Sequence, residues 1–217
     1  MGLPDLERAV SAVGLSVIGG FHPKPGEGPT PETRTLYLLG PTPGAFWPVF
    51  VSSAEATDNR ADPMDRWSSR VLDALADELG AVPAYPFDGP PHHPFYSWAL
   101  RTGRVHASPV QLLVDGRTGL WVAFRGALAF DTVLDVPPPE PIPCASCAGQ
   151  PCLSACPVTA LTTEGYDVPR CKDYLTGVGS RTCMTGGCAV RAACPASQVS
   201  DRHPAQSAFH MEAFLGR

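Results

Sequence analysis

Residues 144–157 read CASCAGQPCLSACP: cysteines at 144, 147, 152 and 156, with Pro157 closing the run. A second set follows at Cys171, Cys183, Cys188 and Cys194, and it too ends in Cys-Pro, at Pro195. All eight cysteines of the chain fall between Cys144 and Cys194, and none lies in the first 143 residues. The N-terminus MGLPDLERAV carries no basic segment followed by an apolar one, so no signal peptide is expected. No run of eighteen apolar residues is present, so no membrane span is expected either. A cytoplasmic location follows as the expectation, and in that compartment a cysteine cluster points to metal before it points to disulfides.

The first set is spaced C-x2-C-x4-C-x3-C-P, two residues longer in its middle gap than the bacterial iron–sulfur run C-x2-C-x2-C-x3-C-P. A four-iron cube presents four corners in tetrahedral directions. A short loop wraps three of them, and the fourth ligand must come from the far side. Two-cluster ferredoxins meet this need by exchange, the Cys-Pro cysteine of each set ligating the other set's cluster. Proline after that cysteine removes an N–H and turns the chain away from the metal. On this logic Cys144, Cys147, Cys152 and Cys194 hold one 4Fe–4S cluster, and Cys156, Cys171, Cys183 and Cys188 hold the other. The two extra residues in AGQP add at most about 7 Å of reach, which a small bulge absorbs. In the second set the Gly186–Gly187 pair gives the backbone freedom to fold its longer gaps aside. Paired zinc sites suit the C-x2-C start but not two Cys-Pro endings. One cluster with spare cysteines is the remaining alternative.

The rest of the chain frames this centre. A net charge of −5 argues against a dedicated nucleic-acid surface. Residues 1–143 carry 10 basic and 16 acidic groups and residues 144–217 carry 6 and 5, so the cysteine-rich part is nearly neutral. Periodicity places a helix at 4–13 and strands at LSVIGGF and TLYLLG. The stretch 44–56 is helical in pattern but interrupted by Pro48. A long helix runs over 63–79, with Asp62 at the N-cap and Pro63 at N1. AVPAY is a short strand and 94–101 a short helix. VQLLVDGRTGLWVAFRGALAF (110–130) reads as a hairpin about its DGRTG turn. The proline-rich DVPPPEPIP (135–143) allows neither helix nor central strand. The expected organisation is thus a domain over 1–136, a stiff linker over 137–143, a two-cluster domain over 144–200 and a C-terminal arm over 201–217 packing back on the first domain. The fold class is α+β, a mixed sheet flanked by helices, with a small ferredoxin-like domain behind it.

Around the cysteines, PRCKDYLT (169–176) and CLSACPVTAL (152–161) resemble the C-terminal half of epoxyqueuosine reductases. SPVQLLVDGRTGLWVAFRGAL (108–128) resembles the hairpin of cobalamin-processing proteins, and TLYLLGPTPGAFWPVF (35–50) and DPMDRWSSRVLDAL (62–75) are similar to the same family. These families and the reductive dehalogenases share a nitroreductase-like cobalamin-binding fold, so the resemblance implies that fold for the N-terminal domain. It also implies a corrin ligand, a redox partner, and two clusters that deliver electrons to cobalt. Trp121 and Arg125 match hairpin positions at which that family binds near the corrin; a core tryptophan and an ordinary ion-pair arginine explain them equally. Asp88, in YPFDGPPHHPF, falls near the proton-donating aspartate of epoxyqueuosine reductase, although Asp-Gly-Pro is also an ordinary turn sequence, and the turn is the preferred reading. His92 and His93 read as loop residues. The rival to an iron–sulfur oxidoreductase is a ferredoxin-type electron carrier, or an iron or redox sensor, whose N-terminal domain only docks a partner.

Overall fold

The computed structural model describes residues 2–177 and 181–216. The chain forms two compact units: Met1–Val105 with Ala123–Glu140, and His106–Val122 with Pro141–Arg217.

The first unit opens with α1 (Leu3–Ala12), whose Leu6 and Val10 are buried, and Gly14 follows it in the left-handed conformation at φ 78°. Strands β1 (Leu15–Phe21) and β2 (Thr35–Pro41) come next, and nearly every residue of both is buried. That burial on both faces explains why they read as continuous apolar runs rather than as an alternation. The stretch with Pro48 becomes two short helices, α2 (Phe46–Val51) and α3 (Ala54–Thr57). Pro48 is the third residue of α2, within the first turn, where a missing N–H costs nothing.

Helix α4 (Pro63–Leu79) has Pro63 at N1 and ends at a left-handed Gly80. Asp62 stands at the N-cap position, but its side chain makes no capping bond and its backbone is left-handed at φ 50°. The buried stripe holds Met64, Trp67, Val71, Leu72 and Leu75, with Trp67 edge-on to Phe46 and Phe50. Strand β3 (Val82–Ala84) and helix α5 (Phe95–Arg101) follow, then short strands β4 (Val105–Ala107) and β5 (Leu113–Asp115), and then β6 (Gly126–Phe130). The main sheet has the order β1-β2-β6-β3. Each pairing in it is antiparallel, where a mixed sheet had been expected. The α+β class stands.

Two further expectations change. The 110–130 segment is not one hairpin. Its DGRTG turn forms, with reciprocal Asp115–Gly119 backbone bonds, but β6 pairs with β2 and β3 while β5 pairs with β4. Residues 106–122 consequently belong to the second unit, although the first domain was expected to run unbroken over 1–136. The proline-rich segment is not a free linker up to Glu140. The Tyr37 hydroxyl donates to the Asp135 carbonyl at 2.6 Å, the Glu140 N–H donates to Gly103, and Arg104 pairs with Glu140. Having no helix or strand to join, these prolines lie as a strap along the first unit.

The second unit is built of short pieces. Single 3-10 turns at Pro143–Ser146 and Pro151–Leu153 lead to a small hairpin of β7 (Leu161–Thr162) and β8 (Gly165–Tyr166). Then come α6 (Val168–Thr176), α7 (Arg181–Gly186), α8 (Ala189–Ala193), α9 (Pro195–Gln198) and α10 (Pro204–Leu215). Its core is Val110, Val114, Leu120, Cys152, Leu161 and Val190, with Cys144, Cys156, Cys188 and Cys194 packed against it. The C-terminal arm is helix α10, which belongs to this second unit and packs on its α7. Phe214 stacks on Tyr166 at 6.2 Å between ring centroids and takes the Lys172 ammonium over its face at 5.1 Å.

Candidate metal centre

The cysteines sit in or beside short elements. Cys144 lies in the first 3-10 turn, Cys147 just after it, and Cys152 in the second. Between these turns Gly149 and Gln150 are both left-handed, at φ 78° and 38°. That pair is the bulge that takes up the two extra residues of AGQP. Cys171 sits in α6 and Cys183 in α7; Cys188 is the N-cap residue of α8, and Cys194 joins α8 to α9.

The eight thiols fall into two groups. Cys144 is acted on electrostatically by Cys194, Cys152 and Cys147, and Cys152 by Cys147 and Cys194. Cys171 is acted on by Cys188, Cys156 and Cys183, and Cys183 by Cys188 and Cys156. Each group therefore contains the Cys-Pro cysteine of the other sequence set. Burial is the first cause pushing up the thiol pKa of Cys144, Cys152, Cys171 and Cys183. Left alone, such thiols stay protonated at neutral pH; a bound metal reverses this and deprotonates them.

Cys144, Cys147, Cys152 and Cys194 line one cavity of about 300 Å³, together with Ser108, Val114, Leu120 and the prolines at 109, 143, 151 and 195. Among the described residues no charged side chain lines it. The Ser108 hydroxyl is buried and, among the described residues, has no hydrogen-bond partner. Four sulfurs, apolar walls and one uncommitted hydroxyl fit a thiolate-held iron–sulfur cube, whose sulfides accept hydrogen bonds. Among the described residues no three His, Cys, Asp or Glu groups converge on a single-ion point. A cube spreads its ligands over four separate irons, so they need not converge on one point.

The second group is surrounded differently. The Ala160 N–H donates to the Cys156 sulfur at 3.1 Å, the Ala189 N–H to Cys183, and the Tyr166 hydroxyl to Cys171. Those contacts and burial push the Tyr166 pKa above its ordinary range, burial first. Arg191 donates to the Leu120 carbonyl and acts electrostatically on Cys188 and Tyr166; burial lowers its pKa, against those two neighbours. Arg202 lies 5.0 Å over the Trp121 ring, donates to Ser207 at 3.2 Å, and is pulled down to about 10 by burial and then by Arg191. Sequence reasoning missed Ser108, Tyr166, Arg191 and Arg202. The one available signal was an arginine centred between Cys188 and Cys194 in a segment with few charges.

Trp121 falls in the second unit, under Arg202 and beside Gly187, where a Cβ would stand 2.8 Å from its ring. Arg125 falls in the first unit, partly buried, pairing with Asp65 at 3.3 Å and donating to the Phe124 carbonyl. Asp88 closes a turn: its carboxylate accepts from the Tyr85 N–H at 2.9 Å, and its own N–H donates to Tyr85. His92 bonds the Asp88 carbonyl, and His93 stacks on Trp98. Each of these side chains has partners within its own unit. No helix among the described residues is long and apolar enough to cross a membrane. No family model matches the chain, and no curated protein matches it.

Proposed function

We propose that this protein is an iron–sulfur redox protein carrying two 4Fe–4S clusters in a ferredoxin-like second unit. Cys144, Cys147, Cys152 and Cys194 hold the first cluster, and Cys156, Cys171, Cys183 and Cys188 hold the second. The observation that carries this reading is the cavity in which Cys194, the Cys-Pro cysteine of the second set, stands with Cys144, Cys147 and Cys152 of the first. A disulfide framework or a pair of zinc fingers has no need of that exchange. The clusters pass single electrons, and the protein's own contribution is to fix sulfur geometry, exclude water and set the potential through hydrogen bonds and charge. The N-terminal unit, nitroreductase-like by resemblance, is then the place the electrons serve. Cobalamin is the acceptor that resemblance implies, which would make the chain a cobalamin-linked oxidoreductase. The rival is a carrier or sensor whose first unit only docks a partner.

Anaerobic reconstitution with iron and sulfide tests the reading. About eight irons and eight sulfides per chain are expected from the ligand count. Cys156→Ser and Cys194→Ser should each spoil a different cluster, read as distinct changes in the electron paramagnetic resonance of the reduced protein. Zinc without sulfide sinks the proposal, and both variants damaging one cluster overturns the pairing. Titrating the loaded protein with cobalamin, followed by its visible spectrum, separates the reductase from the carrier: a shift supports the first, none the second.

A further inference from the structure

We propose that the cysteine-free segment 106–122 sets the fourth ligand of the first cluster: Ser197 and Arg191 clasp the Leu120 peptide from either side of Cys194 and hold that cysteine at the cavity it shares with Cys144, Cys147 and Cys152. The inference rests on the proposed two-cluster reading. It adds two positioning residues, which act through Cys194.

Cys144, Cys147 and Cys152 follow one another in a single run, but Cys194 reaches the same cavity from much further along the chain. Backbone and side chains fix it there together. The Cys194 N–H donates to the Arg191 carbonyl at 3.4 Å, and the Cys194 carbonyl accepts from the Ser197 N–H at 2.9 Å and the Gln198 N–H at 3.1 Å. The side chains of Arg191 and Ser197 then meet at one peptide. Arg191 donates to the Leu120 carbonyl, and the Ser197 hydroxyl accepts from the Leu120 N–H at 2.8 Å. Ser197 and Leu120 are both buried, so breaking the bond between them leaves the Leu120 N–H without water to turn to. Leu120 itself lines the cavity, as do Ser108, Pro109 and Val114 of the same segment. The clasp is anchored in the cavity's own wall.

The anchor is itself held firmly. A Cβ on Gly119 would stand 2.3 Å from the Ser197 nitrogen and 2.8 Å from the Ala196 carbonyl carbon, so only glycine allows the two backbones to meet. Reciprocal Asp115–Gly119 backbone bonds close the turn before it. Val110, Val114 and Leu120 belong to the core of the unit, and the Gln111 side chain donates to the Thr163 carbonyl at 2.5 Å. A ligand supported by such outer contacts is pre-organised: it loses less freedom when metal binds, and it stays within reach when a bond to metal breaks. Pro195 restricts the backbone directly after the ligand in the same sense.

The test follows one iron. A four-iron cube with an unligated corner, oxidised by ferricyanide, gives one electron to the oxidant and releases that corner as ferrous ion. The bonds from that iron to sulfide break, and three ferric irons remain with four sulfides, a species visible by electron paramagnetic resonance. In the anaerobically loaded full-length protein, Cys194→Ala should yield this three-iron species. Ser197→Ala, with every cysteine in place, should form it about tenfold faster than wild type, leaving about seven irons against eight sulfides per chain. A role in general stability alone would release iron and sulfide together. Arg191→Met should act in the same direction. If neither variant loads, the wild type carries the test: by reciprocity, converting its first cluster to the three-iron form should speed hydrogen exchange at the Leu120 amide. A wild-type rate in whichever variants load, joint loss of iron and sulfide, or, where none loads, an unchanged Leu120 amide overturns the proposal. Absence of iron and sulfide from the wild type, or of the three-iron species from Cys194→Ala, is a different result: it defeats the ligand assignment on which the proposal stands.

Discussion

The carboxylate of Glu55 is gripped by both nitrogens of one arginine's edge. The Nε and Nη2 of Arg70 reach its two oxygens at 2.5 and 3.0 Å, and the Glu55 side chain is only 11% exposed. The Arg70 hydrogen bonds pull its pKa down to about 2 from the ordinary 4.5. Stability from this depressed group is therefore fully present above pH 4.5 and is lost as pH falls through about 2. Because Arg70 is 57% exposed, solvent screens the pair. Glu55→Gln should accordingly cost about 1 kcal/mol at neutral pH, at the top of the range for exposed pairs. The check is the urea midpoint of wild type and variant at pH 7 and pH 3, a comparison that cancels what acid does elsewhere: the gap should narrow at pH 3. Nothing in the spacing of Glu55 and Arg70 announced this pair, because they lie on different helices, α3 and α4.

At the scale of the element, the DGRTG turn shows a local signal read correctly and its continuation read otherwise. Asp115 is buried, and its Oδ1 accepts from Arg117 N, Thr118 N and Thr118 Oγ1, which is the work of an Asp at the head of a turn. The strand expected after the turn does not return along β5. Gly119 passes so close to Ser197 that a Cβ would stand 2.3 Å from its backbone nitrogen, at a φ of 58°. The Leu120 N–H then goes to Ser197 Oγ at 2.8 Å and its carbonyl to Arg191. With both backbone groups taken by side chains, Leu120 cannot join a ladder. Ser197→Ala leaves the buried Leu120 N–H unpaired and should destabilise the second unit by about 1–3 kcal/mol. Hydrogen exchange should show the Leu120 amide losing protection ahead of its neighbours; unchanged protection there counts against the assignment.

At the scale of the whole molecule, the two units differ in what holds them. The first has a four-stranded antiparallel sheet with Trp67, Tyr37, Phe46 and Phe50 almost wholly buried. In the second, cysteines form a large part of the core and the elements are short, several of four to six residues. Short helices with so little apolar cover are marginal alone, so metal is expected to contribute their folding energy. Stripping the clusters by oxidation and chelation should therefore abolish amide protection across 143–200 while β1, β2 and β6 keep theirs. Equal protection in both units after stripping would show that the second folds without its clusters.

The sequence by itself determined many of the elements. Apolar runs marked β1 and β2, and Pro63 and Gly80 bounded α4, because each of these signals acts within a few residues of itself. The tertiary structure alone decided the antiparallel order of the sheet, the passage of residues 106–122 into the second unit, and the membership of Trp121 and Arg125 in different units. It also decided that Cys144, Cys147, Cys152 and Cys194 share one cavity with Ser108. Such arrangements rest on contacts between residues far apart in the chain. Ser197 meets Leu120 across 77 positions and Arg191 meets the same residue across 71, and no local periodicity encodes partners at that distance.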